Sequence, residues 1–307
     1  MYLRHFSLRE APFSITPDTA FFFAHEGAQA ALNTLLLALR TGEGFLKIVG
    51  EVGCGKTLLC RQLLNTLQDE FVTAYIPNPD MGADDLLVAL AQELNIELVP
   101  PLSRNRVLGT LRDGLLQHAQ AQRPVLLCID EAQATRMATL ESLRLLSNLE
   151  TEKRKLIQIV LFGQPELDAV LARPQIRQLM QRITFSYYLG ALDARSVPAY
   201  LEHRLAVAAQ DEFTDVKVFE EDAVRALTTF SAGVPRLVNV LAHKCLMLAF
   251  GENEHRVRQR HVRLAAADTP GARRPAPWWK RWRPLQRRSV RADQALALDE
   301  ARVGEKT

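Results

Sequence analysis

The 307-residue sequence is short of cysteine, short of aromatics and without a long apolar run, and each shortage narrows what the protein is. Its four cysteines, Cys54, Cys60, Cys128 and Cys245, stand far apart, with no CxxC pair and no Cys/His cluster at metal-ligand spacing. A disulfide framework is not expected, and a reducing compartment is favoured. No apolar run approaches the roughly 18 residues of a spanning helix. The opening residues 1–13 carry Arg4, His5, Arg9 and Glu10 among their apolar residues, where a signal peptide would keep an unbroken apolar core. The expected address is cytoplasmic. Hydrophobic residues at 48% and charged residues at 24% match ordinary globular usage. A core-free disordered chain is thereby set aside.

Charge is unevenly spread. Between Arg256 and Arg291 stand twelve Lys or Arg against a single acid, Asp268, so the rest of the chain is net acidic under an overall +3. Inside that basic stretch, Arg273, Arg274, Lys280, Arg281 and Arg283 mix with Trp278, Trp279 and Trp282. Cations beside tryptophans suit an anionic lipid surface or a nucleic-acid backbone, and a solvated tail that binds nothing is the plain alternative.

Hydrophobic periodicity organises the remainder. A helical pattern from about His25 to Arg40 stops at Gly42 and Gly44, and the apolar run Phe45 to Val49 then reads as a buried strand. Further strands are expected near Phe71 to Ile76, Val125 to Ile129, Leu156 to Phe162 and Ile183 to Tyr188, with helical patterns between them. Strands alternating with helices imply an α/β fold with a mainly parallel sheet covered on both faces. After Gly190 only helices are expected, near Asp193–Ala208, Glu220–Phe230, Pro235–Phe250 and Gln259–Ala266. Pro270, Gly271, Pro275, Pro277 and Pro284 then break any regular element, although Val290 to Val303 has the pattern of a short helix. The expected organisation is an N-terminal segment 1–24, an α/β domain 25–190, a helical domain 191–267 and a basic tail 268–307.

Strand Phe45 to Val49 runs directly into Gly50, Glu51, Val52, Gly53, Cys54, Gly55, Lys56 and Thr57, with Leu58 opening a helix. This is GxxxxGK[ST] in its strand-loop-helix setting, the loop that cradles phosphates. Its glycines let backbone N–H groups turn towards phosphate oxygens, Lys56 brings a point charge, and Thr57 offers a hydroxyl to Mg²⁺. Strand Val125 to Ile129 closes in Asp130 and Glu131. Asp130 is expected to serve the metal and Glu131 to orient and polarise the water that attacks the γ-phosphate. ATP and Mg²⁺ are the expected cofactors. Cys54 and Cys128 are expected to be small residues in tight places rather than redox groups.

With both nucleotide motifs followed by helices, the chain resembles the P-loop AAA+ ATPases, over about Met1 to Ala267. It is most similar to their secretion and pilus branch, the ExeA (GspA) family with the MSHA pilus protein MshM. Met1-Tyr2-Leu3 with Phe6, Pro12 to Asp18, Gly163-Gln164-Pro165-Glu166-Leu167, Gln181-Arg182-Ile183 and Gly233 to Asn239 carry that resemblance. The resemblance implies a parallel sheet flanked by helices with a small all-helical lid. It further implies that Gln164 is the polar first sensor, that Arg182 is an arginine finger offered to a neighbouring subunit of a homo-oligomeric ring, and that Arg236 is the second sensor, with Arg177 and Arg204 as the alternatives beside them. The segment Phe13 to Asp18 is implied to lie beside the base, while Phe21-Phe22-Phe23 is expected to pack between that segment and the first helix.

Members of the ExeA kind continue into a membrane span and a peptidoglycan-binding module, and the expectation here is the shorter form. Two functions compete on this evidence: an ATPase supporting assembly of an MSHA-type pilus or related secretion apparatus at the inner membrane, and a DNA-associated ATPase of the transposition type. A nucleotide-dependent scaffold without turnover is weakened by Glu131.

Overall fold

The computed structural model describes residues 2–151, 154–210 and 217–273. Most of the basic tail, including Arg274 and the three tryptophans, and the expected helix at 290–303 lie outside the described residues. A short helix α1 (Tyr2–His5) and an irregular strap lead into α2 (Glu26–Arg40), followed by β1 (Phe45–Val49), α3 (Lys56–Leu67), β2 (Val72–Ile76), α4 (Ala83–Glu93), α5 (Arg104–Gln120) and β3 (Val125–Ile129). Next come α6 (Met137–Leu146), β4 (Ile157–Gly163), α7 (Glu166–Leu171), α8 (Arg177–Met180) and β5 (Phe185–Tyr188). The helices α9 (Ser196–Ala208), α10 (Glu221–Ser231), α11 (Pro235–Gly251) and α12 (Gln259–Ala267) follow.

The five strands form one sheet in the order β2-β3-β4-β1-β5, parallel at every pairing. Strands β1, β3 and β4 are buried along their whole length, which is why they read as mainly apolar runs, broken only by Lys47 and Gln158, rather than alternating ones. Their side chains still alternate between faces. Ile157, Ile159 and Leu161 pack with α4, α5 and α6 on one side, and Val160 and Phe162 with α2 and α3 on the other. The one charge in the middle of the sheet, Lys47 of β1, is paired with Asp168 of α7. β5 lies at the edge and is largely exposed, so its boundary is less sharply patterned: the strand begins at Phe185, two residues after the expected start.

A third cluster is built from the helices after Gly190, and its membership changes the expected role of the N-terminus. Phe6, Leu8, Phe13 and Phe21 are all buried in it, beside Leu201, Leu227, Leu241 and Leu246. Phe23 packs on Tyr200 and His203, and only Phe22 joins the α2 cluster. The expected packing of Phe21 to Phe23 between strap and first helix is therefore corrected: the strap is chiefly part of the helical lid. The reason is area. Four short helices leave an apolar face uncovered, and the aromatic strap covers it. Where the lid joins the sheet, Gly233 has φ +75° and an added Cβ would sit 2.0 Å from the carbonyl oxygen of Leu192, so this crossing tolerates no side chain.

Candidate functional site

The carboxyl ends of β1, β4 and β3 are neighbours in the sheet, with Val49 opposite Gly163 and Ile129 opposite Leu161. Loops that leave a parallel sheet at its carboxyl edge open a crevice there. The loop after β1 bends through Gly53 and Gly55, both at positive φ, into the N-terminus of α3, whose amides and dipole favour an anion. Lys56 is buried, and its ammonium donates to the carbonyls of Gly50 (2.7 Å) and Glu51 (3.0 Å), which curl it back over the loop.

Thr57 donates its hydroxyl to Asp130 Oδ2 at 2.5 Å, while the Glu131 amide donates to Asp130 Oδ1 at 2.9 Å. Burial pushes the Asp130 carboxyl above its ordinary value, against the opposing pull of these two hydrogen bonds. A buried carboxylate next to a hydroxyl at a phosphate loop is an all-oxygen donor set, which fits Mg²⁺. Thr57 and Asp130 are the residues that would hold that ion, and it would neutralise phosphate oxygens when bound.

Glu131 adopts φ 48°, an unfavourable backbone for a non-glycine residue. The turn brings its carboxylate between two amides. Gln164 Nε2 donates to Glu131 Oε2 at 3.0 Å, and Gln133 Nε2 donates to the same oxygen at 2.6 Å. The Gln164 backbone N–H donates to Gln133 Oε1 at 3.0 Å, which fixes which end of the Gln133 amide faces Glu131. The two amides therefore converge on one carboxylate oxygen, Oε2.

Gln133 was not among the expected residues. Its signal was present, two positions beyond the acidic pair, but it acquires meaning only once the chain turns back at Glu131.

A cavity of about 260 Å³ gathers these groups: Lys56, Thr57, Glu131 and Gln164 face it together with Arg236 and the strap residues Ser14 to Asp18. Arg236 sits in the first turn of α11, exposed, with its backbone N–H on the Gly53 carbonyl at 3.2 Å. Arg204 also lines the cavity but is buried, held by the strap. Arg182 is elsewhere. It follows α8, and its Nη1 donates to the Ser147 carbonyl at 3.3 Å, while its neighbour Arg177 is exposed. All four cysteines are buried and free, and burial raises the thiols of Cys54, Cys60 and Cys245, the last to about 12. Thiols held protonated are poor nucleophiles, in keeping with the expectation that they are packing residues.

Comparison with known proteins points to the same fold. Residues 39–171 match the family model described as an AAA domain. The chain is 38% identical over 278 residues, 91% of its length, to "General secretion pathway protein A" of Aeromonas hydrophila, and spans 50% of that relative. Among solved structures it is similar to CDC6P of Pyrobaculum aerophilum, with TM-score 0.64 and 18% identity over 83% of this chain and 69% of that one. It is also similar to the ORC2 protein of Aeropyrum pernix, solved in ADPNP-ADP complexes, with TM-score 0.62 and 17% identity over 82% and 72% of the two chains. The Holliday junction branch migration motor RuvB of Thermotoga maritima follows at TM-score 0.52 and 18% identity, over 79% and 68%. These structures share the fold. Among the described residues no helix is long and apolar enough to cross a membrane.

Proposed function

We propose that this chain, which belongs to the AAA+ ATPases of the General secretion pathway protein A family, binds MgATP in the Lys56 cavity and hydrolyses it to support assembly of an MSHA-type type IV pilus or a related secretion apparatus at the inner membrane. The observation that carries this reading is the extent of the 278-residue match, which runs well beyond the AAA domain at 39–171.

In the proposed reaction the loop amides and Lys56 bind the phosphates, and Thr57 and Asp130 hold Mg²⁺. Glu131, oriented by Gln133 and Gln164, aligns the attacking water, and Arg236 reaches the phosphates from the lid. Arg182, outside the cavity of its own subunit, is assigned to the γ-phosphate of a neighbouring subunit in a nucleotide-dependent homo-oligomer.

The test has two arms. Purified Glu131→Gln should retain ATP and lose hydrolysis by a factor of about 10² or more. Complementing a deletion strain with that variant should leave surface pili or secretion absent, whereas normal assembly would overturn the proposed role. Duplex DNA binding is the competing outcome. Saturable, ATP-dependent binding that survives removal of residues 272–307 would replace the pilus and secretion reading with a DNA-associated one, whereas binding that fades with salt would leave it standing.

A further inference from the structure

Arg204 of α9 is only 4% exposed, yet among the described residues no carboxylate meets its charge. Arginine stays protonated under all protein conditions, and a buried cation is costly unless polar groups surround it. Here they come from the strap and from Tyr200 of α9. Nε donates to the Pro12 carbonyl, Nη2 to the Ser14 carbonyl at 3.2 Å and Nη1 to the Tyr200 hydroxyl at 3.3 Å, with the guanidinium 4.6 Å from the centre of the Phe21 ring.

Asn239 of α11 adds a second grip, donating Nδ2 to the same Ser14 carbonyl at 3.4 Å while its Oδ1 accepts from Tyr200 at 2.9 Å. From the opposite side Arg61 of α3 donates to the Pro17 carbonyl at 2.7 Å. The four residues Ser14 to Pro17 are thus pinned at both ends, by the lid at one and by the helix of the phosphate loop at the other. All four line the cavity that the phosphate loop also lines, so a nucleotide whose phosphates occupy the loop would extend its ribose and base among them.

Docking the strap needs no charge. Phe6, Leu8, Phe13 and Phe21 already bury it against the lid. What a forked cation adds is a fixed position for two carbonyls two residues apart, which neither an apolar side chain nor a point charge supplies. We propose that Arg204 is a positioning residue for the nucleotide base: by holding the Pro12 and Ser14 carbonyls it sets the Ile15–Pro17 wall against the base and makes base binding a contact between lid and phosphate loop. The inference rests on the nucleotide reading of the cavity.

Calorimetric titration of the full chain with MgATP and with inorganic tripolyphosphate, which has no base, tests it. Arg204→Met should weaken ATP about tenfold or more while leaving tripolyphosphate within about twofold, and Arg204→Lys should recover part of the loss. Equal weakening of both ligands, or unchanged ATP affinity in a folded variant, would overturn the assignment. If Arg204→Met does not fold, Asn239→Ala, which removes one donor to Ser14, should give the same selective loss at smaller size, and an unchanged ATP affinity there would overturn it equally. A wild-type chain that binds neither ligand would sink the nucleotide reading itself, and this inference with it; a wild type that binds both, beside an unaffected Arg204→Met, would sink the inference alone.

Discussion

Single residues at the sheet edge carry opposed demands, and Asp130 shows this most clearly. Its carboxyl is raised by burial, so the native state favours the protonated form more than the unfolded chain does. Stability from this group is full below the ordinary carboxylate range and is lost as pH rises through the raised value. Asparagine keeps the shape, can accept from the Glu131 amide and donate to Thr57, and carries no charge. Asp130→Asn should therefore melt higher than the parent near neutral pH in metal-free and nucleotide-free buffer, by about 2–4 °C for each kcal/mol relieved, while losing hydrolysis. Thermal melts across pH check this, and a lower neutral melting point would refute it. The acidic pair was legible because it ends a run of five apolar residues. Gln133 was not, because its partnership with Glu131 depends on a backbone turn at φ 48° that no spacing rule encodes.

Elements meet where small residues permit it. Gly53 has φ +84°, and an added Cβ would lie 2.6 Å from Cβ of Arg236, so the phosphate loop and the first turn of α11 touch through a missing side chain. Gly53→Ala would strain the loop by about 1–2 kcal/mol and push α11 away. The expected result is a weakened nucleotide affinity of at least tenfold with the fold retained, read by titration and circular dichroism; wild-type affinity would show that the lid does not bear on the loop. Strands β1 and β3 were legible to the residue, since burial on both faces leaves a nearly continuous apolar run, broken only by Lys47 in β1. The strap was legible as a motif but not as part of the lid. The contacts that place it, such as Ser14 to Arg204 and Ser14 to Asn239, span 190 and 225 residues, and periodicity carries no information at that range.

On the scale of the whole molecule, Arg182 stands apart from the Lys56 cavity. Arg182 is tied to Ser147 rather than to its own cavity. If a second copy receives it, turnover per subunit should rise with protein concentration, and Arg182→Ala should bind ATP normally while losing turnover by about 10³-fold. Mixing Arg182→Ala with Lys56→Ala, each inactive alone, should restore activity, because each copy then supplies what the other lacks; a mixture that stays silent would remove the between-subunit assignment. The strap has a consequence for biogenesis. Its aromatic residues leave the ribosome before their buried partners on α11, which follow roughly 230 residues later. At about 5–20 residues per second, Phe6, Phe13 and Phe21 wait on the order of 10–40 s with no finished surface to enter. Until α11 has been made, the strap's aromatic side chains lack the surface that buries them and stay open to other apolar partners.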